Sequence, residues 1–276
     1  MKKLFDPILT TAKTYSTIHA LAGGNFHASL CVAAFFEISD AIVGIMAVVG
    51  LFFAWMKGRK NKSELTVLKK YEKLRSKSLC PFARKAKLYG GGVGKGQDIE
   101  TAAKSIMPRL IELTKFGKKR KLDGFVIELP ADRFANNLVE LCRSFNSLLR
   151  ELANHDPAGE NCFKGNILKK DWQFTFNQTR FFVTAFAPFY NPRHPRFSKV
   201  KNSAFIFLQP DYSFDNHGIS RRNTHRETVK NNIRKAFQET GSGYDIALVK
   251  QPLEALKYIK ALRISDPPVR WWKLPR

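Results

Sequence analysis

The chain has 276 residues, enough for one or two domains, and carries 47 Lys and Arg against 23 Asp and Glu, a formal net charge of +24. The part before Lys57 sums to zero, so the whole excess lies in residues 57–276. This charge attracts anionic lipid, nucleic acid or acidic proteins without choosing among them. A hydrophobic fraction of 44% with 23 Phe excludes an intrinsically disordered chain.

The four cysteines are too scattered to form a zinc site. No two of them are spaced as CxxC, and none lies in a short Cys/His cluster. Four cysteines in a chain long enough for its own core fit a reducing compartment. Cys142 falls on the apolar side of a predicted helix, where a thiol acts as a small hydrophobic side chain.

An uncharged stretch begins at Ala41 and ends at Trp55-Met56, and a cluster of bases follows it directly. This pattern predicts a transmembrane helix over residues 39–56. A longer helix starting near residue 28 is the alternative, but it would bury Glu37 and Asp40 in lipid. A buried helix of a soluble protein is the second alternative.

The bases around this segment predict its orientation. Residues 57–77 carry nine Lys or Arg and residues 1–27 carry three, so the positive-inside rule places the large C-terminal part on the cytoplasmic side, or in an equivalent interior compartment. The predicted organisation is an N-terminal segment (1–38), a transmembrane helix (39–56), a basic juxtamembrane helix (57–78) and a C-terminal domain (79–276).

After the basic flank, residues 63–79 read as a helix. A glycine tract from Gly90 to Gly96 follows and is predicted to be a flexible loop. A phosphate-binding P-loop does not fit, because Tyr89 stands where that motif needs Gly and Gly96 stands where it needs Ser or Thr.

Next, the spacing of apolar residues predicts a helix over 99–116 that Gly117 ends, and then a strand over 124–130. A second long helix is predicted to start at a cap by Asp132. It runs to about Asn154, where His-Asp-Pro ends it.

The strongest strand signal lies in residues 172–186. A hairpin is predicted there from three features: the alternation of Trp172, Phe174 and Phe176, a turn at Asn177-Gln178 and a returning apolar run. A strand over 204–208 and helices over 224–239 and 253–262 complete the chain. Strands adjacent in sequence predict an α+β fold in which an antiparallel sheet packs with helices.

Several short segments in residues 79–272 resemble the YqcI/YcgG family. Leu79-Cys80-Pro81-Phe82-Ala83-Arg84 resembles a rearranged form of the family's Phe-Pro-Cys motif. Phe125 to Asp156 resembles its strand, helix and aspartate, and Phe174-Thr-Phe176 with Phe181-Phe182-Val183 resembles its hairpin. The resemblance continues in the stretch that ends at Arg196-Phe197. It also includes the run Ala204 to Phe207, Gln209-Pro210 and Phe214.

The resemblance implies a haem-dependent oxygenase that hydroxylates a nitrogen of an amino acid or guanidino compound. It makes Cys80 and His194 the candidate haem-iron ligands, with Arg193 and Arg196 placed for the propionates. One departure is Ala187, which stands where the family has a histidine.

Further along, His217 and Arg221 are candidates for binding a substrate carboxylate, or are solvated loop residues. The alternative function is a non-catalytic basic domain that binds anionic lipid or a protein partner, such as a subunit of a membrane complex. Nucleic-acid binding is disfavoured because aromatic residues do not interleave with the bases.

Overall fold

The computed structural model describes Met46 and residues 64–93, 97–217, 226–239 and 245–274. The chain divides into two compact units, residues 1–60 and 61–276. Met46, in helical conformation, is the described residue of the first unit. The second unit contains the strands and the candidate site.

Within the described ranges, no helix is both long and apolar enough to cross a membrane. The predicted transmembrane segment over 39–56, with Ala41 and Trp55, lies outside those ranges except for Met46.

The second unit is built on a sheet of five strands, in the spatial order β1-β2-β5-β4-β3. The strands are β1 (Leu88–Gly92), β2 (Gly124–Pro130), β3 (Phe174–Phe176), β4 (Thr179–Phe186) and β5 (Ser203–Pro210). The pairs β2–β5, β5–β4 and β4–β3 are antiparallel, and β1–β2 is parallel. The α+β class is confirmed, and three of the four strand pairs in this sheet are antiparallel as predicted, but the parallel β1–β2 pair makes the sheet mixed.

The parallel strand comes from the glycine tract that was predicted to be a loop. Leu88–Gly92 forms edge strand β1, whereas residues 94–96 lie outside the described ranges. A Cβ atom added to Gly91 would lie 2.9 Å from Cγ2 of Ile106, so the neighbouring helix packs directly on the strand backbone. The glycines allow this close approach, and their lack of side chains hides the strand from any apolar pattern.

The predicted hairpin is present as β3 and β4. Asn177 and Gln178 both have positive φ, 47° and 59°, as a two-residue type I′ turn requires. The Asn177 side chain also donates to Thr114 Oγ1 at 2.7 Å, which ties the turn to the helix that packs on this end of the sheet.

Eight α-helices and three short 3₁₀ helices are present in the described part of the second unit. The α-helices are α1 (64–75), α2 (Pro81–Lys85), α3 (Ile99–Arg120), α4 (Ala131–Phe134), α5 (Leu138–Asn154), α6 (Ser213–Asn216), α7 (Arg226–Glu239) and α8 (Ile246–Lys250). The 3₁₀ helices span Cys162–Lys164, Glu254–Lys257 and Trp271–Lys273.

One face of the sheet packs against α3, α5 and the C-terminal segment, and it forms the main core. Phe145 of α5 is fully buried and meets Trp271 edge to face at 4.8 Å between ring centroids. Cys142 is buried as predicted, and desolvation raises the pKa of its thiol to about 12.

The opposite face is partly covered by α1. Tyr71 packs edge to face on Phe205, with ring centroids 5.4 Å apart. Lys70 makes an ion pair with Glu128 of β2 at 2.5 Å, and Ser203 Oγ donates to the same carboxylate oxygen at 2.6 Å. The helix predicted to lie beside a membrane is therefore docked on the sheet.

Three predicted helix boundaries were wrong. Gly117 does not end α3, which continues to Arg120 and ends at Lys121 in the left-handed region (φ 54°). The cap of α5 is Asn137, whose Oδ1 accepts from the Glu140 N–H at 3.0 Å, and Asp132 lies in the separate helix α4. The helix predicted over 253–262 is replaced by a short 3₁₀ helix over Glu254–Lys257.

Candidate functional site

A cleft of about 1410 Å³ opens on the face of the sheet that α1 covers only in part. Typical small-molecule sites have volumes of roughly 300–1,000 Å³. Its floor comes from side chains that alternate along two paired strands, Phe182, Thr184 and Phe186 of β4 and Phe207 and Gln209 of β5. The cleft is therefore large and has an aromatic floor.

The walls of the cleft come from α1, α2, the loop after β4, α7 and the segment around Glu254–Lys260. Seven lining side chains are Lys or Arg and three are Asp or Glu. The bases are Arg75, Lys77, Arg196, Lys199, Lys230, Lys257 and Lys260, and the acids are Asp211, Asp215 and Glu254. This excess of bases favours an anionic ligand.

Cys80 lines the cleft directly before α2. The residue is half-buried and its thiol is free. Its backbone N–H donates to Ser78 Oγ at 3.2 Å, which fixes the chain at the point where α2 begins. A thiolate is a common haem-iron ligand, so the position fits the predicted role.

His194 also lines the cleft, but both of its ring nitrogens face the backbone. Nδ1 accepts from the Arg196 N–H at 3.1 Å, and the ring is held near the Ala261 backbone and stacks on Tyr190 with centroids 4.3 Å apart. Burial, with Lys260 and Arg196 nearby, lowers the His194 pKa to about 4. The lone pair of the neutral ring therefore already accepts a hydrogen bond from the backbone of its own loop.

The two candidate arginines are placed differently. Arg196 is 9% exposed, stacks over Phe186 with 5.2 Å from Cζ to the ring centroid, and donates to the Lys257 carbonyl at 3.3 Å. Arg193 is exposed, and it is not among the side chains that line the cleft. The cleft therefore brings together Cys80, His194 and Arg196 of the predicted residues.

Lys260 joins this end of the cleft and was not predicted. It is half-buried, and desolvation together with Arg196 lowers the pKa of its amine to about 8 although Asp245 acts in the opposite direction. The sequence gives a weak signal for it, because Lys260 stands directly after the buried Tyr258 and Ile259.

His217 lies apart from the cleft. Its Nε2 pairs with the buried Asp123 Oδ1 at 3.0 Å, and its ring packs on Phe82 with centroids 5.4 Å apart. Asp123 Oδ2 also accepts from the Lys87 N–H at 2.8 Å. The Asp123–His217 pair therefore connects the residue before β1, the residue before β2 and the residue after α6. Arg221 lies outside the described residues.

The cleft is lined by two buried polar residues that the sequence analysis missed. Thr184 and Gln173 are 6% and 7% exposed, and in the described part of the chain Thr184 Oγ1 and Gln173 Oε1 have no hydrogen-bond partner. Burying such an atom costs about 1–3 kcal/mol, which a ligand or an ordered water would offset. Thr184 interrupts the apolar run of residues 181–186 in β4, and that was its only signal in the sequence.

Comparison with known families identifies the family of the chain. The chain matches the YqcI/YcgG family over residues 80–248. It belongs to the YqcI/YcgG family. No curated protein and no solved structure matches the chain significantly.

The part of the chain that matches the YqcI/YcgG family supplies the floor of the cleft, Cys80 and Arg196. Segments outside it complete the walls, with Tyr71 and Arg75 from α1 and Lys257 and Lys260 from the C-terminal segment. The flanking segments of this chain thus help to shape the cleft.

Ala187, where the resemblance implies a histidine, is fully buried. Its N–H donates to the Arg196 carbonyl at 3.0 Å and its carbonyl accepts from the Ser198 N–H at 3.1 Å. Among the described residues, no three His, Cys, Asp or Glu side chains form a metal-ligand set. A haem iron is held by its porphyrin and needs only one axial protein ligand.

Proposed function

We propose that this YqcI/YcgG protein is a haem-dependent oxygenase that acts on a nitrogen of an amino acid or a guanidino compound. The observation that carries the proposal is the shared cleft, in which Cys80 and Arg196 lie with an aromatic floor. These are the components that a haem site needs: an axial ligand, bases for the propionates and apolar surface for the porphyrin.

Cys80 would hold the iron and Arg196 would pair with a propionate, while Phe182, Phe186 and Phe207 would contact the porphyrin. His194 does not fit the ligand role in this conformation, because its accepting nitrogen already takes the Arg196 N–H. When bound, haem supplies an iron centre that activates dioxygen.

The substrate's N–H groups would be bound at the end of the cleft beside Phe182. Gln173 and Asp211 lie there and are joined by a hydrogen bond of 3.5 Å from Gln173 Nε2 to Asp211 Oδ1. Amide and carboxylate oxygens accept the N–H groups of an amino or guanidino group, so this end suits a nitrogen-rich substrate.

The test is haem loading of the purified full chain, followed by its absorption spectrum. We expect a Soret band whose position changes or whose intensity is lost in Cys80→Ala. The control Cys162→Ala removes a thiol that is half-buried elsewhere and should keep the band. His194→Ala should also keep it. A chain that takes up no haem, or a Cys80→Ala variant with an unchanged spectrum, contradicts the proposal.

We also propose that residues 39–56 anchor the protein in a membrane with residues 79–276 on the cytoplasmic side. The uncharged run and the nine bases of residues 57–77 support this. An anchored protein stays in the membrane pellet after extraction with 1 M salt, roughly a 3 Å screening length, and leaves it only in detergent. Release by salt contradicts the anchor.

The second candidate function is a non-catalytic basic domain, which the excess of Lys and Arg around the cleft favours. It would bind anionic lipid or a protein partner rather than haem. A haem-free protein that sediments with vesicles containing phosphatidylserine, and not with neutral vesicles, would support this function over the oxygenase.

A further inference from the structure

Positive charge is also concentrated outside the cleft, at the end of the sheet where the parallel strands β1 and β2 begin. Residues 84–87, before β1, contain Arg84, Lys85 and Lys87, and five of the seven residues 115–121, before β2, are Lys or Arg. We call the bases of these two segments the basic face. None of them lines the cleft.

The fold brings the two segments together because β1, α3 and β2 form a parallel β-α-β unit. The helix returns the chain to the end where both strands begin, so α3 ends beside the start of β1. The Asp123 N–H donates to the Lys87 carbonyl at 2.7 Å, and the Lys87 N–H donates to the Asp123 carboxylate at 2.8 Å. Lys85 is two residues from Lys87 and Lys121 is two residues from Asp123, which is at most about 7 Å in each case.

The basic face is exposed and largely unpaired. All of its bases are exposed, and neither segment contains an Asp or Glu. Arg120 pairs with Glu112 at 2.9 Å, whereas the other bases of the face form no ion pair with any residue that the structure describes. Asp123 is 4% exposed and already pairs with His217, and Asp215 of α6 lines the cleft. The charge of the face is therefore directed at the solvent.

Stabilisation of helix ends accounts for only part of this charge. Bases in the last turn of a helix interact favourably with its dipole, and Arg84, Lys85 and residues 118–120 occupy such positions in α2 and α3. Lys87 lies beyond α2, and Lys115 lies before the last turn of α3. The face thus carries more charge than the two helix ends use.

One large apolar side chain lies among these bases. Phe116 is 46% exposed, and Arg120 Cζ lies 5.2 Å from the centroid of its ring. Bases around an exposed aromatic ring are typical of surfaces that bind anionic bilayers, where the ring enters the headgroup region and the bases meet the phosphates. A surface for nucleic acid would present free ring faces for stacking, and Arg120 covers a face of this ring.

A series of contacts joins the start of α1 to the basic face. Glu64 pairs with Arg109 of α3, and Arg109 Cζ lies 4.2 Å from the centroid of the Tyr89 ring. The Tyr89 hydroxyl in turn accepts from Arg120 at 3.3 Å. Seven residues separate Glu64 from Met56, where the uncharged run ends, and they span at most about 28 Å. The proposed anchor would therefore hold the face close to a bilayer, a step that rests on that proposal.

The geometry points to a membrane-docking surface, in which the basic face binds anionic phospholipid headgroups and Phe116 enters the bilayer interface. The ligand is a bilayer surface with net negative charge, such as one that contains phosphatidylserine. Docking orients the sheet with the starts of β1 and β2 toward the bilayer. The surface is separate from the cleft, and so it depends neither on haem nor on Cys80.

The experiment measures how fast a water-soluble reagent acetylates each lysine of the full chain on vesicles, with mass spectrometry as the readout. Vesicles of phosphatidylcholine are compared with vesicles that also contain phosphatidylserine. On the anionic vesicles, Lys87 and Lys118 should react at least about threefold more slowly, and high salt should abolish this protection. Lys164 and Lys170 are exposed before β3, at the opposite edge of the sheet, and should react equally on both kinds of vesicle.

Two matched double variants test whether the charges cause the protection. Lys118→Gln with Lys119→Gln should lower the protection of Lys87 to less than about 1.5-fold, because each base adds to the attraction of an acidic bilayer. Lys164→Gln with Lys170→Gln removes the same charge from the opposite edge and should leave the protection unchanged. All four side chains are exposed, and urea unfolding verifies that both variants fold.

Phe116→Ala should roughly halve the protection, because the ring no longer enters the interface. Protection of Lys87 that is equal on neutral and anionic vesicles, or that survives in Lys118→Gln with Lys119→Gln, overturns the docking surface. Protection by added RNA, with none by anionic vesicles, assigns the face to nucleic acid and also overturns it.

The readout distinguishes failure of the docking surface from failure of the anchor. A chain that salt extracts from membranes is added to preformed vesicles, and the same lysines then report on docking. A chain that stays in the membrane after salt extraction but shows no protection on anionic vesicles retains the anchor and overturns the surface.

Discussion

The two faces of the sheet use the same strands but are closed to very different degrees. On the face against α3 and α5, Phe181, Val183 and Ala185 of β4 are fully buried in an apolar core. On the other face, Phe182, Thr184 and Phe186 of the same strand form the floor of an open cleft. One strand thus faces the apolar core with its odd positions and the open cleft with its even positions.

The most direct way to break this comparison is to remove one large aromatic side chain from each face. Phe145→Ala in the closed core should cost about 3–5 kcal/mol, because the void beside Trp271 cannot collapse fully. Phe182→Ala in the cleft should cost about 1–2 kcal/mol, since its ring is half-exposed and loses less buried area. Urea unfolding of both variants measures the difference, and equal costs would show that the cleft is closed in solution.

A smaller effect is expected where the two faces meet. Gly117 of α3 packs against Tyr212, whose ring also lines the cleft, and a Cβ atom at this position would overlap the Tyr212 hydroxyl. Gly117→Ala should destabilise by about 1–2 kcal/mol, because the strain exceeds the gain of about 1 kcal/mol in helix propensity.

The matched control is Gly165→Ala, whose added Cβ would have its nearest neighbour at 3.6 Å. Its stability should change by less than about 0.5 kcal/mol. A Gly117→Ala protein that is as stable as the wild type would mean that Tyr212 moves freely at the wall of the cleft.

The next effect is on the stability that the contact between α1 and the sheet contributes, on the face that carries the cleft. Ser203→Ala removes the hydroxyl that donates to Glu128, the carboxylate that Lys70 also contacts. Losing this bond should cost about 1 kcal/mol, and the cost should persist in high salt because the hydroxyl is buried and uncharged. Denaturant titrations at low and high salt measure it. A cost that vanishes in salt would indicate that only the Lys70 ion pair matters.

The closed face was largely predictable from the sequence because local patterns carry it. Alternation with an Asn-Gln turn predicted the hairpin, and the apolar run 124–130 predicted β2 at its observed bounds. Strand β1 was missed because its glycines have no side chains to form a pattern. Their function, close packing against Ile106, becomes visible only in three dimensions.

The cleft face was less predictable for the same reason. Cys80, His194 and Arg196 were found through the family resemblance, and the structure places them in one cleft. Lys260 was not found, because Tyr190, whose hydroxyl donates to its backbone carbonyl, lies 70 residues earlier in the chain. Contacts of this range leave no periodicity or spacing in the sequence, so flanking segments that complete a site are the hardest residues to predict.

The smallest expected effect is on the pH dependence of stability, through His194 at the cleft. The folded-state pKa of His194 is about 4, below the value of 6.5 for an unperturbed imidazole. Between these values the unfolded chain binds more protons, so stability is full above pH 6.5 and falls as the pH drops toward 4.

His194→Gln should lose less stability on acidification than the wild type. The difference should be only a fraction of about 1.4 kcal/mol per pH unit, because the His194 ring is partly solvated. Unfolding curves of the wild type and His194→Gln at pH 7, 6 and 5 measure this difference, and parallel losses in both proteins would show that His194 is solvated and that this end of the cleft is open.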